Sequence, residues 1–134
     1  CVPEPIKILN SVWIVDDDPI SRLLIKKTLE RTELFSSYRE FTDGFKLIRE
    51  LSEKGTLSFD EPDLILLDIN MPQKDGWEVL DFIEDKNISF HKSRVVLLSS
   101  SINPKDKTRA FSYDSIKGYL QKPLAKDDIE SLNL

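Results

Sequence analysis

PDLILLDINMP, residues 62–72, is the segment around which the chain is organised. Its apolar residues are Leu64 to Leu67 and Ile69, and one carboxylate, Asp68, stands among them. A short apolar run bounded by turn residues indicates a strand that is buried on both faces, as in parallel sheets. A carboxylate near the end of such a strand is costly unless that end opens into a polar site, and ligands of open α/β sheets bind at the carboxyl ends of the strands. We therefore predict a functional site centred on Asp68.

Composition and charge limit the classes of protein. The length of 134 residues is enough for one domain with one core, which we place over residues 1–134 with residues 1–6 as a loose lead-in. The formal net charge of -5 disfavours unspecific binding to nucleic acid or to anionic lipid. No apolar run approaches the length of a membrane span, and no signal peptide is apparent. We expect neither direct nucleic-acid binding nor membrane association.

Cys1 is the only cysteine, so an internal disulfide is excluded. This fits a reducing compartment, and we expect a cytoplasmic protein. Because the chain begins at Cys1 and not at methionine, we expect a processed product or a piece of something longer. A free-standing protein and a part of a larger or hybrid protein both remain open.

Apolar strands alternate with helices along the chain. Strands are predicted at residues 12–15, 34–41, 64–69, 94–98 and 116–121. Helices are predicted at residues 19–31, 44–54, 77–86, 104–113 and 125–132. Asp18 before Pro19 suits the N-cap of the first helix. The spacing in that helix predicts a buried face made of Ile20, Leu23, Leu24 and Thr28. Five strands alternating with five helices favour a parallel sheet with helices on both faces.

Chemically active residues follow four of the predicted strands. Asp16 and Asp17 follow the first, Asp68 ends the third, Ser99 ends the fourth and Lys122 follows the fifth. In a doubly wound sheet these ends meet at one edge, where carboxylates in contact repel by roughly 4 kcal/mol per pair. A hard cation with oxygen ligands, above all Mg²⁺, fits this set. With the lysine and the hydroxyl, the set predicts a phosphoryl-transfer site whose product is an aspartyl phosphate.

Five motifs in register resemble one protein family. They are VDDDP at 15–19, LDINMP at 67–72, DG at 75–76, Ser99 and GYLQKP at 118–123. Together they resemble the receiver domain of two-component response regulators, as in chemotaxis receivers, over about residues 12–132. The resemblance implies a flavodoxin-like (βα)5 fold with the strand order 2-1-3-4-5.

The resemblance also implies a role for each residue of the site. Asp68 would accept a phosphoryl group from the phosphohistidine of a histidine kinase or of a histidine phosphotransfer protein. Asp17 would bind Mg²⁺ directly and Asp16 largely through water, with Asp68 and the backbone carbonyl of Asn70 completing the metal shell. Lys122 would contact the phosphoryl oxygens.

A conformational switch is implied as well. Ser99 would move to hydrogen-bond the phosphoryl group, and Tyr119 would swing inward behind it. The face formed by the fourth helix, the fifth strand and the last helix would then change shape, and it could also form a homodimer. Asn70 and Ser101 stand at places that tune the lifetime of the phosphoryl group. The downstream partner stays unknown.

Three other functions fit the sequence less well than this switch. A hydrolase that uses an aspartyl phosphate needs a second aspartate two residues after the nucleophile as general acid, and Asn70 stands there. A receiver-like interaction module without phosphorylation usually lacks the acid pair, the nucleophile or the lysine, and all are present here. A nucleotide-binding domain needs a glycine-rich loop after the first strand, which is missing. We predict a signalling switch that catalyses only its own phosphoryl transfer and dephosphorylation.

Overall fold

A computed structural model describes residues 10–54, 62–71, 75–86, 93–100 and 103–132, with the backbone alone at 52–54. The strands in these ranges are β1 (Asn10–Val15), β2 (Phe35–Phe41), β3 (Leu64–Asp68), β4 (Arg94–Ser99) and β5 (Ile116–Gln121). The helices are α1 (Pro19–Thr32), α2 (Gly44–Lys54), α3 (Gly76–Asp85), α4 (Pro104–Phe111) and α5 (Lys126–Glu130). The predicted bounds agree with these within two residues. The predicted lead-in at 1–6 lies outside the described residues.

The five strands form one parallel sheet in the order β2-β1-β3-β4-β5, which confirms the predicted fold class. The strand β3 lies at the centre and is buried along its whole length, as its apolar run requires. It pairs with β1 on one side and β4 on the other, so that Leu67 lies opposite Val15 and Asp68 lies opposite Leu98. This register brings the carboxyl ends of three strands to the same edge of the sheet.

Side chains of the strands alternate between two core layers, because successive residues of a strand point to opposite faces. One layer packs against α2, α3 and α4, and its strand residues include Trp13, Val15, Ile65 and Leu67. The other packs against α1 and α5, and its strand residues include Val12, Ile14, Leu64 and Leu66. Fully burying one such aliphatic side chain stabilises the fold by about 1.5–3 kcal/mol. No helix within the described residues is both long and apolar enough to cross a membrane.

The predicted buried face of α1 is wrong. Three of its residues are largely exposed, Ile20 at 68%, Leu23 at 52% and Leu24 at 56%. The residues that α1 buries against the sheet are instead Ile25, Leu29 and Thr32. The helix carries two apolar stripes, and the stripe with Ile25 and Leu29 is the one that packs against alternate residues of β1 and β3. The other stripe is left on the surface.

The N-terminus of α1 does follow the prediction. Pro19 occupies the first helical position, and the Asp18 side chain accepts a hydrogen bond from the backbone N–H of Ile20 at 2.9 Å. An acidic cap is worth about 1 kcal/mol and fixes where the helix begins. The helix therefore begins directly after Asp16, Asp17 and Asp18, the three residues that follow β1.

The DG motif lets α3 begin close to the end of β3. Asp75 caps the helix by accepting from the N–H of Glu78 at 3.0 Å. A Cβ at Gly76 would lie 2.8 Å from Ile69 Cα and 3.0 Å from the carbonyl oxygen of Asp68. A side chain at this position would therefore push the helix away from the segment that carries Asp68.

Candidate functional site

The carboxyl edge of the sheet gathers the polar residues that follow its strands. Asp16 is held there by its backbone N–H, which donates to the carbonyl of Phe41 at 3.1 Å. Asp68 is the last residue of β3, and Ser99 is the last residue of β4. The N–H of Lys122 donates to the carbonyl of Ser99 at 2.8 Å, which continues the pairing of β4 with β5. The predicted convergence of these strand ends is thus observed.

Three carboxylates form the centre of the site. Asp16, Asp17 and Asp68 each offer an oxygen, and these oxygens lie within 4.8 Å of one another. Asp16 is 0% exposed and Asp68 is 4% exposed, whereas Asp17 is exposed. Carboxylates at this separation repel strongly where solvent screening is weak. The cluster therefore needs positive charge.

Lys122 supplies part of that charge. Its ammonium group lies 2.6 Å from Oδ2 of Asp16 and 3.0 Å from Oδ2 of Asp68, so it bridges the two buried carboxylates. Burial alone would lower the pKa of Lys122, but the hydrogen bond and charge of Asp16 and Asp68 outweigh burial and raise it. One ammonium group still faces three carboxylates.

Hydrogen bonds orient the two buried carboxylates. Oδ1 of Asp16 accepts from the backbone N–H of Asp18 at 3.0 Å, and Oδ2 accepts from the hydroxyl of Ser21 at 2.5 Å. Oδ1 of Asp68 accepts from the backbone N–H of Asn70 at 3.0 Å. Sequence reasoning missed Ser21. Its signal was a small hydroxyl residue in the first turn of α1, where the helix passes back over the end of β1.

The two buried carboxylates differ in their pKa. Burial raises the pKa of Asp68, and the charge of Asp16 adds to this, while the Asn70 N–H and Lys122 oppose it without cancelling it. Burial also opposes ionisation of Asp16, but the hydrogen bonds from Lys122, Ser21 and the Asp18 N–H outweigh it and lower the pKa. The hydrogen bonds thus outweigh burial at Asp16, whereas those at Asp68 do not fully offset it.

Ser99 and Tyr119 lie on one side of the sheet, because Tyr119 pairs with Leu97, two residues before Ser99. Ser99 is 2% exposed at the end of β4. Tyr119 is 8% exposed, and its ring lies in the same core layer as Ala110 of α4. Its buried hydroxyl has no hydrogen-bond partner among the described residues. Tyr119 thus already points inward here. Ser101 lies outside the described residues.

An apolar groove opens beside the site. It measures about 620 Å³, and its lining includes Ile20 and Leu24 of α1, Leu124 after β5, and Lys122 itself. The exposed Leu23 lies on the same helix. The stripe of α1 that the sheet does not cover forms one wall of this groove.

Comparisons with known proteins agree with this architecture. A family model described as the response regulator receiver domain matches residues 12–132. The chain is 35% identical over 119 residues to the nitrate/nitrite response regulator protein NarL of Escherichia coli (strain K12), covering 89% of this chain and 50% of NarL. It is 28% identical over 120 residues to the chemotaxis protein CheY of Halobacterium salinarum, covering 90% of each chain. The chain therefore spans about half the length of NarL and most of CheY.

A solved structure shares the fold at a similar identity. The two-component response regulator from Cytophaga hutchinsonii superimposes with a TM-score of 0.82 at 32% identity, over 93% of this chain and 94% of that chain. The chain is also 25% identical over 130 residues to the hybrid signal transduction histidine kinase L of Dictyostelium discoideum, of which it covers 7%. Similar sequences thus occur both as nearly whole proteins and as small parts of long ones.

Proposed function

The chain belongs to the family of response regulator receiver domains, and from this premise we propose that it accepts a phosphoryl group on Asp68 and thereby switches a protein–protein interaction. One observation carries the proposal: Lys122 bridges two buried carboxylates, and a third carboxylate lies within reach of both. A nucleophile, a place for a cation and a ligand for a phosphoryl group are thus side by side. Aspartyl-phosphate chemistry needs these three parts.

The donor set fits Mg²⁺. Three carboxylates against one ammonium group leave an excess of negative charge on hard oxygen atoms, which Mg²⁺ prefers over nitrogen or sulfur. Asp16, Asp17, Asp68 and the backbone carbonyl of Asn70 would hold it. When bound, Mg²⁺ would neutralise negative charge that develops on the phosphoryl oxygens.

Asp68 acts as the nucleophile in this proposal. One of its carboxylate oxygens forms the new bond to phosphorus, while the bond from phosphorus to the imidazole nitrogen of a phosphohistidine breaks. The electron pair of that bond stays on the imidazole, which takes up a proton. Lys122 turns from the carboxylates to the phosphoryl oxygens, because the added group brings about -1.5 to -2 charge. Asn70 stands two residues after Asp68, where a hydrolase of this chemistry needs an aspartate as general acid, which disfavours turnover of foreign phosphoesters.

The groove beside the site supports a protein as phosphodonor. Receiver domains of this family interact with histidine kinases and phosphotransfer proteins. The exposed Ile20 and Leu24 give such a donor an apolar surface in the groove beside the acidic cluster. Burial of this surface would hold the donor histidine close to Asp68.

The output of the switch is proposed at α4, β5 and α5. Ser99 would bond the phosphoryl group, and Tyr119 would report this movement to the surface. The Tyr119 hydroxyl has no partner among the described residues, and leaving a buried hydroxyl unpaired costs about 1–3 kcal/mol, which disfavours the inward position. Contacts of a few kcal/mol can then shift the population of the two positions. The same face is proposed as a docking site for a downstream protein or for a second copy of the chain.

Intact-mass measurement tests the acceptor. We expect acetyl phosphate to add one phosphoryl group when Mg²⁺ is present and none when it is chelated. Asp68→Asn should abolish the adduct. Asp18→Asn is the matched control, because Asn caps a helix as well as Asp and the position lies beside the acid pair. An adduct that survives in Asp68→Asn would refute the assignment, and no adduct on the parent would favour an interaction module without phosphorylation.

Amide chemical shifts test the switch. With beryllofluoride and Mg²⁺, residues of α4 and β5 should shift together with those around Asp68 in the parent. In Lys122→Met the shifts should stay near Asp68, because the side chain that senses the new charge is gone. Distant shifts that persist in this variant would show that the signal passes through Ser99 without Lys122.

A further inference from the structure

One oxygen atom in the site accepts two hydrogen bonds. Oδ2 of Asp16 accepts from the Ser21 hydroxyl at 2.5 Å and from the Lys122 ammonium at 2.6 Å. Asp16 is 0% exposed, so bulk water does not reach it. Its other oxygen is already occupied by the backbone N–H of Asp18 at 3.0 Å. If Ser21 or Lys122 no longer donates, Oδ2 therefore loses one of its two hydrogen bonds.

Lys122 is shared, and the proposed function requires it to move. It contacts Asp68 at 3.0 Å as well as Asp16, and it must turn to the phosphoryl oxygens when Asp68 is modified. That movement takes a charged donor away from a buried carboxylate. A buried carboxylate without a partner is strongly unfavourable, so the ease of this movement depends on the donor that stays behind.

Ser21 is held in place independently of Lys122. It lies in the first turn of α1, and the next residue, Arg22, donates from its guanidinium to the backbone carbonyl of Asp16 at 2.7 Å. Two adjacent residues of the helix thus hydrogen-bond to Asp16, Ser21 to its side chain and Arg22 to its backbone carbonyl. The Ser21 hydroxyl can therefore remain on Oδ2 when the ammonium of Lys122 leaves.

We propose that Ser21 is a positioning residue, whose hydroxyl keeps Asp16 hydrogen-bonded while Lys122 moves from Asp16 to the phosphoryl group. This inference rests on the proposed function of Asp68. Without the hydroxyl, Lys122 is the remaining side-chain donor to Oδ2 among the described residues, and Asp16 holds it back. Ser21 therefore favours the phosphorylated arrangement without touching the phosphoryl group.

The matched variants are Ser21→Thr and Ser21→Val, which have the same shape and differ in the hydroxyl. At saturating Mg²⁺, Ser21→Val should bind beryllofluoride about tenfold more weakly than Ser21→Thr, as expected for a lost hydrogen bond to a charged group. The Mg²⁺ affinity of the two variants should agree within about twofold, because Lys122 can remain on Asp16 when the metal binds alone. Both affinities come from amide chemical-shift titrations, whose spectra also confirm that each variant is folded.

A double-mutant cycle isolates the movement of Lys122. In a Lys122→Met background no ammonium leaves Asp16, so Ser21→Val and Ser21→Thr should bind beryllofluoride alike. An equal loss with and without Lys122 would overturn the inference, as would a parallel loss of Mg²⁺ affinity, because either result makes Ser21 a support of the metal site alone. A parent that binds no beryllofluoride, or Asp68→Asn that binds it as well as the parent, would instead overturn the proposed function and the inference with it.

Discussion

Lys122→Met removes the positive charge from the site and keeps most of the side chain's length. In the parent, the ammonium lies 2.6 Å from Asp16 and 3.0 Å from Asp68, and their side chains are 0% and 6% exposed. Removing one partner from a buried ion pair destabilises a protein by about 3–5 kcal/mol, because a buried charge is left without compensation. Here two carboxylates lose the same partner and then repel each other.

Two features place the expected destabilisation at the lower end of this range. The Lys122 side chain is 19% exposed, so the site is not fully closed to water. The bonds from Ser21 and from the N–H groups of Asp18 and Asn70 also remain. We therefore expect Lys122→Met to lower the free energy of unfolding by about 3 kcal/mol in the absence of metal. Typical domains have only about 5–15 kcal/mol in total, so the effect is easily measured.

Urea unfolding in chelator and in excess Mg²⁺ provides the assay. The loss should shrink with Mg²⁺, because a bound cation replaces the missing charge and stabilises the folded state. Adding Asp68→Asn to Lys122→Met should recover part of the loss in chelator, since it removes one of the two repelling charges. A loss below about 1 kcal/mol in chelator would refute the reasoning, because this is the worth of an exposed ion pair.

Three further predictions concern the same edge of the sheet. Burial raises the pKa of Asp68, so its ionised form destabilises the folded state at neutral pH. Asp68→Asn should therefore raise the metal-free unfolding free energy at pH 7. This gain should vanish as the pH falls through the raised pKa toward the ordinary value of 3.8, because Asp68 of the parent is then protonated too. A gain that is the same at every pH would contradict this. Mg²⁺ should change the fluorescence of Trp13, a buried residue that precedes Asp16 by three positions. Asp17→Asn should weaken the Mg²⁺ affinity measured in this way roughly tenfold, and an unchanged titration would exclude Asp17 as a ligand. Tyr119→Phe removes a buried hydroxyl that lacks a partner among the described residues and should raise the unfolding free energy in urea by about 1 kcal/mol, whereas a clear decrease would show that this hydroxyl is bonded in solution.

The fold and the location of the site follow from local patterns. The apolar run before Asp68 favours a strand buried on both faces, and its alternation with helices leaves a parallel sheet as the natural arrangement. Because carboxyl ends of parallel strands meet at one edge, the sequence alone places the residues at the ends of β1, β3 and β5 together. Asp18 and Asp75 cap helices where their neighbours in sequence predict turns.

The orientation of α1 could not be obtained in the same way. Its sequence offers two apolar stripes that are both compatible with the helical period, one through Ile20 and Leu24 and one through Ile25 and Leu29. Which stripe is buried depends on the shape of the sheet below it, where the alternate side chains of β1 and β3 receive Ile25 and Leu29. The exposed stripe then becomes the wall of the groove beside Lys122.

The sequence by itself determined the order of the elements, the parallel sheet and the gathering of Asp16, Asp17, Asp68 and Lys122, because these depend on periodicity and strand ends. Tertiary packing alone decided the hydrogen bond from Ser21 to Asp16 and the inward position of Tyr119. The first depends on how α1 packs against the end of β1, and the second on how a ring of β5 fits against its neighbours in the core. Such fits involve many side chains at once, so a small hydroxyl residue in a first helical turn does not by itself specify its partner.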